Sequence, residues 1–193
     1  MLKNDCLSEC GSIHVICGPM FAGKTSELIK RLKNQKKKNK KVMIFKPEID
    51  IRYNKNKIVS HNKKYLSAIQ IKKSEEILFF LKKENKTKNI VIGIDEAQFF
   101  DKKLPEICNK IANMGNKIFI AGLDMDSNGE PFGPMPFLLA ISESITKMTS
   151  KCSVTGNKAY YTKSISNKKL KIKIGDNKTY TVLCRNEFYK NEK

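Results

Sequence analysis

Apolar residues along this chain fall into short runs separated by stretches whose apolar positions recur every three to four residues. Val42-Met43-Ile44-Phe45 and Ile90-Val91-Ile92 are continuous apolar runs, the pattern of strands buried on both faces of a parallel sheet. With Ile13 to Cys17 and Ile118 to Ala121 they make four predicted strands. Between them the spacing predicts helices from Thr25 to about Asn34, from Glu75 to Lys83, from about Leu104 to Met114 with Gly115 as the stop, and from about Phe137 to Met148. Strand and helix in alternation predict an α/β fold, a parallel sheet flanked by helices.

Two segments break the alternation. Asp50 to Lys64 is polar and rich in Asn and Lys, as expected of a surface loop. From Lys151 onward, Leu170, Ile172 and Ile174 alternate, a Gly175-Asp176-Asn177 turn follows, and Thr179 to Leu183 is again strand-like. That pattern predicts a small β-hairpin appendage, dividing the chain into an α/β domain over 1–149 and an appendage over 150–193.

The first predicted strand runs into Gly18-Pro19-Met20-Phe21-Ala22-Gly23-Lys24-Thr25, a phosphate-binding loop set between a strand and a helix. Glycines at both ends let successive N–H groups turn toward phosphate oxygens, Lys24 reaches the outer phosphates, and the Thr25 hydroxyl is placed to ligate Mg²⁺. A second buried strand ends at Asp95-Glu96. An acid at that point holds Mg²⁺ in phosphate-loop enzymes, which assigns the ion to Thr25 and Asp95. Adjacent strand residues face opposite ways, so Glu96 is free to act as general base on an acceptor hydroxyl. The Gly/Pro-rich run from Gly122 to Pro136 follows another strand at the same edge. Its Leu123, Met125, Phe132 and Met135, with Met20, Phe21, Phe99 and Phe100, offer apolar surfaces for a flat base.

A formal charge of +19 favours anionic partners, and eight of the twelve residues from Lys30 to Lys41 are basic. Lys and Asn are nevertheless spread along the whole chain, as on a lysine-rich solvated surface, so no obligatory nucleic acid is implied. No run has the length or character of a signal peptide or membrane span, which predicts a cytoplasmic protein with reduced thiols. Cys17 and Cys108 sit on apolar faces, where packing accounts for them, and Cys6 and Cys10 lack a second ligand pair nearby.

Taken together these motifs resemble those of the type II thymidine kinases, the deoxynucleoside kinases of bacteria and the vertebrate cytosol. The resemblance runs from Ile13 to about Phe188. It is carried by the phosphate loop with Met20-Phe21, Lys46-Pro47, Asp50-Ile51-Arg52-Tyr53, Ser60-His61, Asp95-Glu96-Ala97-Gln98-Phe99-Phe100, and Gly122-Leu123-Asp124 through Pro131-Phe132-Gly133-Pro134. It implies transfer of the γ-phosphate of ATP to the 5′-hydroxyl of thymidine or deoxyuridine, with Glu96 as base. The ATP side would comprise Gly18, Pro19, Met20, Phe21, Ala22, Gly23, Lys24, Thr25, Arg52, Asp95 and Gln98. The nucleoside side would comprise Met20, Phe99, Leu123, Phe132 and Tyr180, the last on a lasso formed by the appendage, where Tyr161 is a second matching aromatic. A homotetramer with dTTP as feedback inhibitor is also implied, whereas His61 is as consistent with an exposed structural residue as with a catalytic one.

The chain departs from that pattern in two places. The family's lasso is usually pinned by zinc on two Cys-x-x-Cys knuckles, which here are Cys152-Ser153-Val154-Thr155 and Cys184-Arg185-Asn186-Glu187. Structural zinc takes four Cys or His ligands, so zinc is expected to be absent, leaving Cys152 and Cys184 as a residual thiol pair. Ser127 replaces an aromatic of the family's base-enclosing loop. A nucleic-acid-dependent ATPase and a nucleotide-binding regulator without phosphoryl transfer are the alternative classes compatible with a basic phosphate-loop chain.

Overall fold

A computed structural model describes residues 11–49, 57–59, 65–84, 87–165 and 179–190. In chain order the elements are β1 (Ser12–Cys17), α1 (Lys24–Lys37), β2 (Val42–Pro47), β3 (Lys57–Val59), β4 (Tyr65–Ser67), β5 (Ile69–Ile71), α2 (Glu76–Lys82) and β6 (Val91–Ile94). A 3₁₀ turn (Ala97–Phe99), α3 (Leu104–Asn113), β7 (Lys117–Gly122), α4 (Met135–Ile141) and β8 (Ser144–Lys147) complete the main layer. The C-terminal arm adds β9 (Ser150–Lys151), β10 (Lys158–Ala159), β11 (Tyr161–Ser164), β12 (Tyr180–Leu183) and α5 (Arg185–Phe188).

Six strands form one sheet in the order β5-β2-β6-β7-β1-β8, and every neighbouring pair is parallel. Side-chain alternation divides it cleanly between two apolar clusters. Ile13, Val15 and Cys17 of β1, Ile92 and Ile94 of β6, and Ile118 and Ile120 of β7 pack with Ile77, Ile107, Ile111 and Leu138 of the helices α2, α3 and α4. Ile16, Ile44, Val91 and Phe119 pack instead with Leu28, Ile29 and Leu32 of α1.

Helix α1 is strongly polar, and its apolar triplet holds it. Each fully buried aliphatic side chain contributes roughly 1.5–3 kcal/mol, whereas Thr25, Ser26 and Asn34 each cost up to about 0.7 kcal/mol of helix propensity. Glu27 in its first turn and Lys36 and Lys37 in its last complement the helix dipole. A Cβ at Gly93 would fall 2.6 Å from Leu32 Cδ1, so a larger residue there would have to push the Leu32 side chain aside. In α3, the buried Leu104, Ile107, Cys108 and Ile111 follow helical spacing, and Gly115, with φ of 85°, lies just beyond the end. Burial raises the thiols of Cys17 and Cys108 to about 11 and about 12, consistent with packing roles.

The structure corrects the expected helix from Phe137 to Met148. α4 stops at Ile141, Ser142 is extended, and Ser144–Lys147 pairs with β1 as a sixth strand. Glu143 causes the switch: its N–H donates to the Ile13 carbonyl at 3.0 Å and its carboxylate accepts the Ile13 N–H at 2.6 Å. The edge of β1 offers a row of backbone partners to the β-branched pair Ile145-Thr146, which a helical continuation would forgo. The Asp50 to Lys64 loop is corrected in part, because Lys57–Val59 pairs with Tyr65–Ser67 and Ile58 is buried among the residues under α1. Residues 50–56 and 60–64, with Arg52, Ser60 and His61, lie outside the described residues. So do Cys6, Cys10 and the predicted Leu170, Ile172, Ile174 alternation. β12 pairs with β11 from Tyr161↔Leu183 to Ser164↔Tyr180.

Among the described residues no helix is long and apolar enough to cross a membrane. Asn116, fully buried, ties three segments together: its side-chain oxygen accepts the Ile90 N–H, and its amide nitrogen donates to the Thr87 and Ile111 carbonyls. Asn116→Ala strands these backbone groups and is expected to cost about 2–4 kcal/mol, read as a lower urea midpoint at unchanged m. A loss under about 1 kcal/mol would show that water replaces the side chain there.

Candidate active site

All six strands run the same way, so the phosphate loop after β1, Asp95 after β6 and Leu123 after β7 meet at one edge. Gly18 adopts φ of 135°, and a Cβ there would lie 2.3 Å from the Met148 carbonyl oxygen. The loop is thus seated against the chain leaving β8, and the Met148 N–H donates to the Cys17 carbonyl at 2.8 Å. No side chain caps the start of α1, leaving its first-turn N–H groups directed toward the loop. The Lys24 ammonium donates to the Pro19 carbonyl at 2.7 Å, and the Thr25 hydroxyl donates to Asp95 Oδ1 at 3.2 Å. Thr25 and Asp95 therefore bring two hard oxygen donors together beside the loop, a donor set that fits Mg²⁺.

Asp95 is buried and its N–H donates to the Phe45 carbonyl, which keeps it level with β2. The expected mechanism for separating Asp95 from Glu96 needs correction. β6 ends at Ile94, and Glu96 lies beyond it with φ 52° and ψ 43°. Strand alternation therefore does not extend to Glu96, whose left-handed backbone sets its course. Phe21 in the phosphate loop has φ of 61°. Such conformations cost a bulky residue on the order of 1–3 kcal/mol, and the two are found on facing segments of one site.

Gln98 fixes the Glu96 carboxylate. Its amide nitrogen donates to Glu96 Oε2 at 2.6 Å, and its oxygen accepts the Leu123 N–H at 2.9 Å. This buried amide thereby links the Glu96 carboxylate to the chain leaving β7. Phe99 and Phe132 meet edge to face with ring centroids 5.5 Å apart. Both are half-buried, with Leu123 nearby in sequence at the end of β7. Phe100 and Met135, expected among the base-facing apolar surfaces, belong to the core. A hollow of about 740 Å³ lies at the opposite edge, near Lys41, Glu84 and Ile90, remote from these groups.

The profile of the family described as "Thymidine kinase" matches residues 11–188. The chain belongs to that family. Two "Thymidine kinase" proteins of Bacteroides fragilis, one from strain YCH46 and one from a second strain, are each 45% identical to it over 176 residues. The aligned region is 91% of this chain and 85% of each relative.

In this thymidine kinase family member the arm touches the site directly. Met20 donates its N–H to the Thr162 hydroxyl at 3.0 Å, and Met20 and Met125 pack against the arm's own core of Cys152, Ala159, Tyr161, Val182, Leu183 and Phe188. Tyr161 is a core residue, stacked on Phe188 at 4.6 Å, while Tyr180 opens β12 opposite Ser164. The loop after β7 folds on itself, with Asp126 Oδ1 accepting the N–H groups of Asn128 and Glu130, and brings Gly129 against the Phe188 ring.

Cys152 and Cys184 are free thiols, the Thr155 hydroxyl lies 3.8 Å from Cys184 Sγ, and Glu187 faces Lys190 at 3.4 Å. Among the described residues no three His, Cys, Asp or Glu side chains converge as a metal site.

Sequence reasoning missed three contributors. Asp124 is buried and paired with Lys147 at 2.9 Å, joining the ends of β7 and β8; it lies two residues past a buried strand, whereas Asp95 follows its strand directly. The hydrogen bond raises the pKa of Lys147 against its partial burial. Lys46 is a buried cation near the end of β2, and Thr162 reaches the phosphate loop from far along the chain with no local signature. Gln98→Leu preserves volume but strands the Leu123 N–H and releases Glu96. Turnover is expected to fall about 10–100-fold with a smaller change in KM for ATP, measured by steady-state kinetics.

Proposed function

We propose that the protein transfers the γ-phosphate of ATP to the 5′-hydroxyl of thymidine, with deoxyuridine as a second acceptor, in pyrimidine salvage. The observation that carries this reading is the Glu96 carboxylate, held by Gln98 in a left-handed bend immediately after the Thr25–Asp95 pair. Backbone N–H groups of the loop and of the first turn of α1 face the phosphates, and Lys24 leaves the Pro19 carbonyl to pair with the outer ones. Mg²⁺ held near Thr25 and Asp95 would offset the negative charge of the phosphates.

Glu96 takes the proton of the 5′-hydroxyl as its oxygen forms a bond to the γ-phosphorus. The bond to the bridging oxygen breaks, ADP leaves with that electron pair, and the proton on Glu96 passes to water. Phe99 and Phe132 wall the base, Leu123 and Met20 border it, and Tyr180 approaches from the arm. Arg52 is assigned to the phosphates by the family resemblance. The α/β unit over 1–149 carries the chemistry and 150–193 closes over the nucleoside, supported by the arm's separate core. The donor set at Cys152 and Cys184 supports an arm held by hairpin pairing and packing without structural zinc. A cytoplasmic homotetramer inhibited by dTTP completes the reading, on the strength of the family alone.

Glu96→Gln keeps the shape and one hydrogen-bonding oxygen while removing the base. It is expected to lower thymidine-dependent ADP release by about 10²–10⁴-fold and to leave ATP binding within a few-fold of wild type. Turnover near the wild-type rate would remove Glu96 from that role.

A further inference from the structure

The knuckle remnants are more organised than two cysteines left over from a larger set. The Cys152 N–H donates to the Asn157 carbonyl at 2.7 Å and the Gly156 N–H donates to the Cys152 carbonyl at 2.9 Å, which makes the β9–β10 turn a tight loop around Cys152. Ser153 donates to the Val182 carbonyl and Tyr160 to the Leu183 carbonyl, laying the end of β12 alongside that turn. Cys184, the next residue, is thereby brought to Cys152.

The turn meets Cys184 directly. The Thr155 hydroxyl donates toward Cys184 Sγ at 3.8 Å, and Cys184 packs against the small apolar cluster that contains Cys152. Disulfides form between residues whose Cα atoms are roughly 4–7 Å apart, a spacing open to two cysteines of one such cluster.

We propose that Cys152 and Cys184 form a reversible disulfide, closed by a small-molecule disulfide of the glutathione class, that staples the β9–β10 turn to the start of α5. The inference rests on the reading of the arm as free of zinc. Cys184 is half-buried and Cys152 is 3% exposed, so the incoming disulfide meets Cys184 first. The Cys184 thiolate attacks one sulfur of oxidised glutathione; the glutathione S–S bond breaks, one glutathione thiolate leaves, and a mixed disulfide remains on Cys184. The Cys152 thiolate then attacks Cys184 Sγ, the mixed bond breaks and the second glutathione leaves. Two protein thiols are oxidised and one oxidised glutathione is reduced to two thiols.

The test uses the full chain, purified reduced and without a tag, with zinc per protomer measured first. After incubation with oxidised glutathione, intact mass is expected two hydrogens lower, and non-reducing digestion should yield a Cys152-to-Cys184 linked peptide that dithiothreitol separates. Cys152→Ser should keep glutathione on Cys184, since the resolving thiol is gone, and Cys184→Ser should form no link to Cys152. Zinc-free wild type that holds glutathione on Cys184 without closing, links through another cysteine, or stays fully reduced overturns the disulfide and leaves the zinc-free reading intact. Near-stoichiometric zinc shielding both thiols overturns both.

Discussion

The hydrogen bond from Thr25 to Asp95 requires two strands that are not neighbours to end level with each other. β7 lies between β1 and β6, so a residue after the first strand reaches one after the third only if the sheet is parallel and in register across all three. Every other element of the site uses that level edge. The loop after β7 emerges between the two, the end of β2 is tied to Asp95 through Phe45, and β8 holds Gly18 from the far side. The two apolar clusters, divided by side-chain alternation, keep the strands in that register.

On this rigid edge the site places strain where it has a consequence. Phe21 and Glu96 both occupy the left-handed region, one in the phosphate loop and the other at the acceptor side. Gln98 couples Glu96 to Leu123, and the aromatic pair Phe99 and Phe132 spans the same two segments. One buried amide thus ties the Glu96 carboxylate to the backbone that follows β7.

The arm meets this edge through few but specific contacts. Thr162 holds Met20, Phe188 packs against Gly129, and Met20 and Met125 cover the arm's own core. Stacking of Tyr161 on Phe188 and pairing of β11 with β12 hold the arm together. The Thr155 contact to Cys184 lies between the β9–β10 turn and the last helix.

Local chemistry in the sequence determined the phosphate loop, the acid after β6 and the strand and helix alternation. Each depends on residue type and spacing over a few positions: glycine for backbone freedom, apolar runs for two-sided burial, a carboxylate where a buried strand ends. Tertiary structure decided what depends on remote partners. Ser144 to Lys147 became a strand because Glu143 found both backbone groups of Ile13, Met135 and Phe100 went to the core, and Gln98 turned to Glu96 and Leu123. Asp124, Thr162 and Cys184 acquired their settings only when β8, the phosphate loop and the β9–β10 turn were brought beside them. A hydrogen bond between segments more than a hundred residues apart leaves no periodicity in the chain, so the fold alone reveals it.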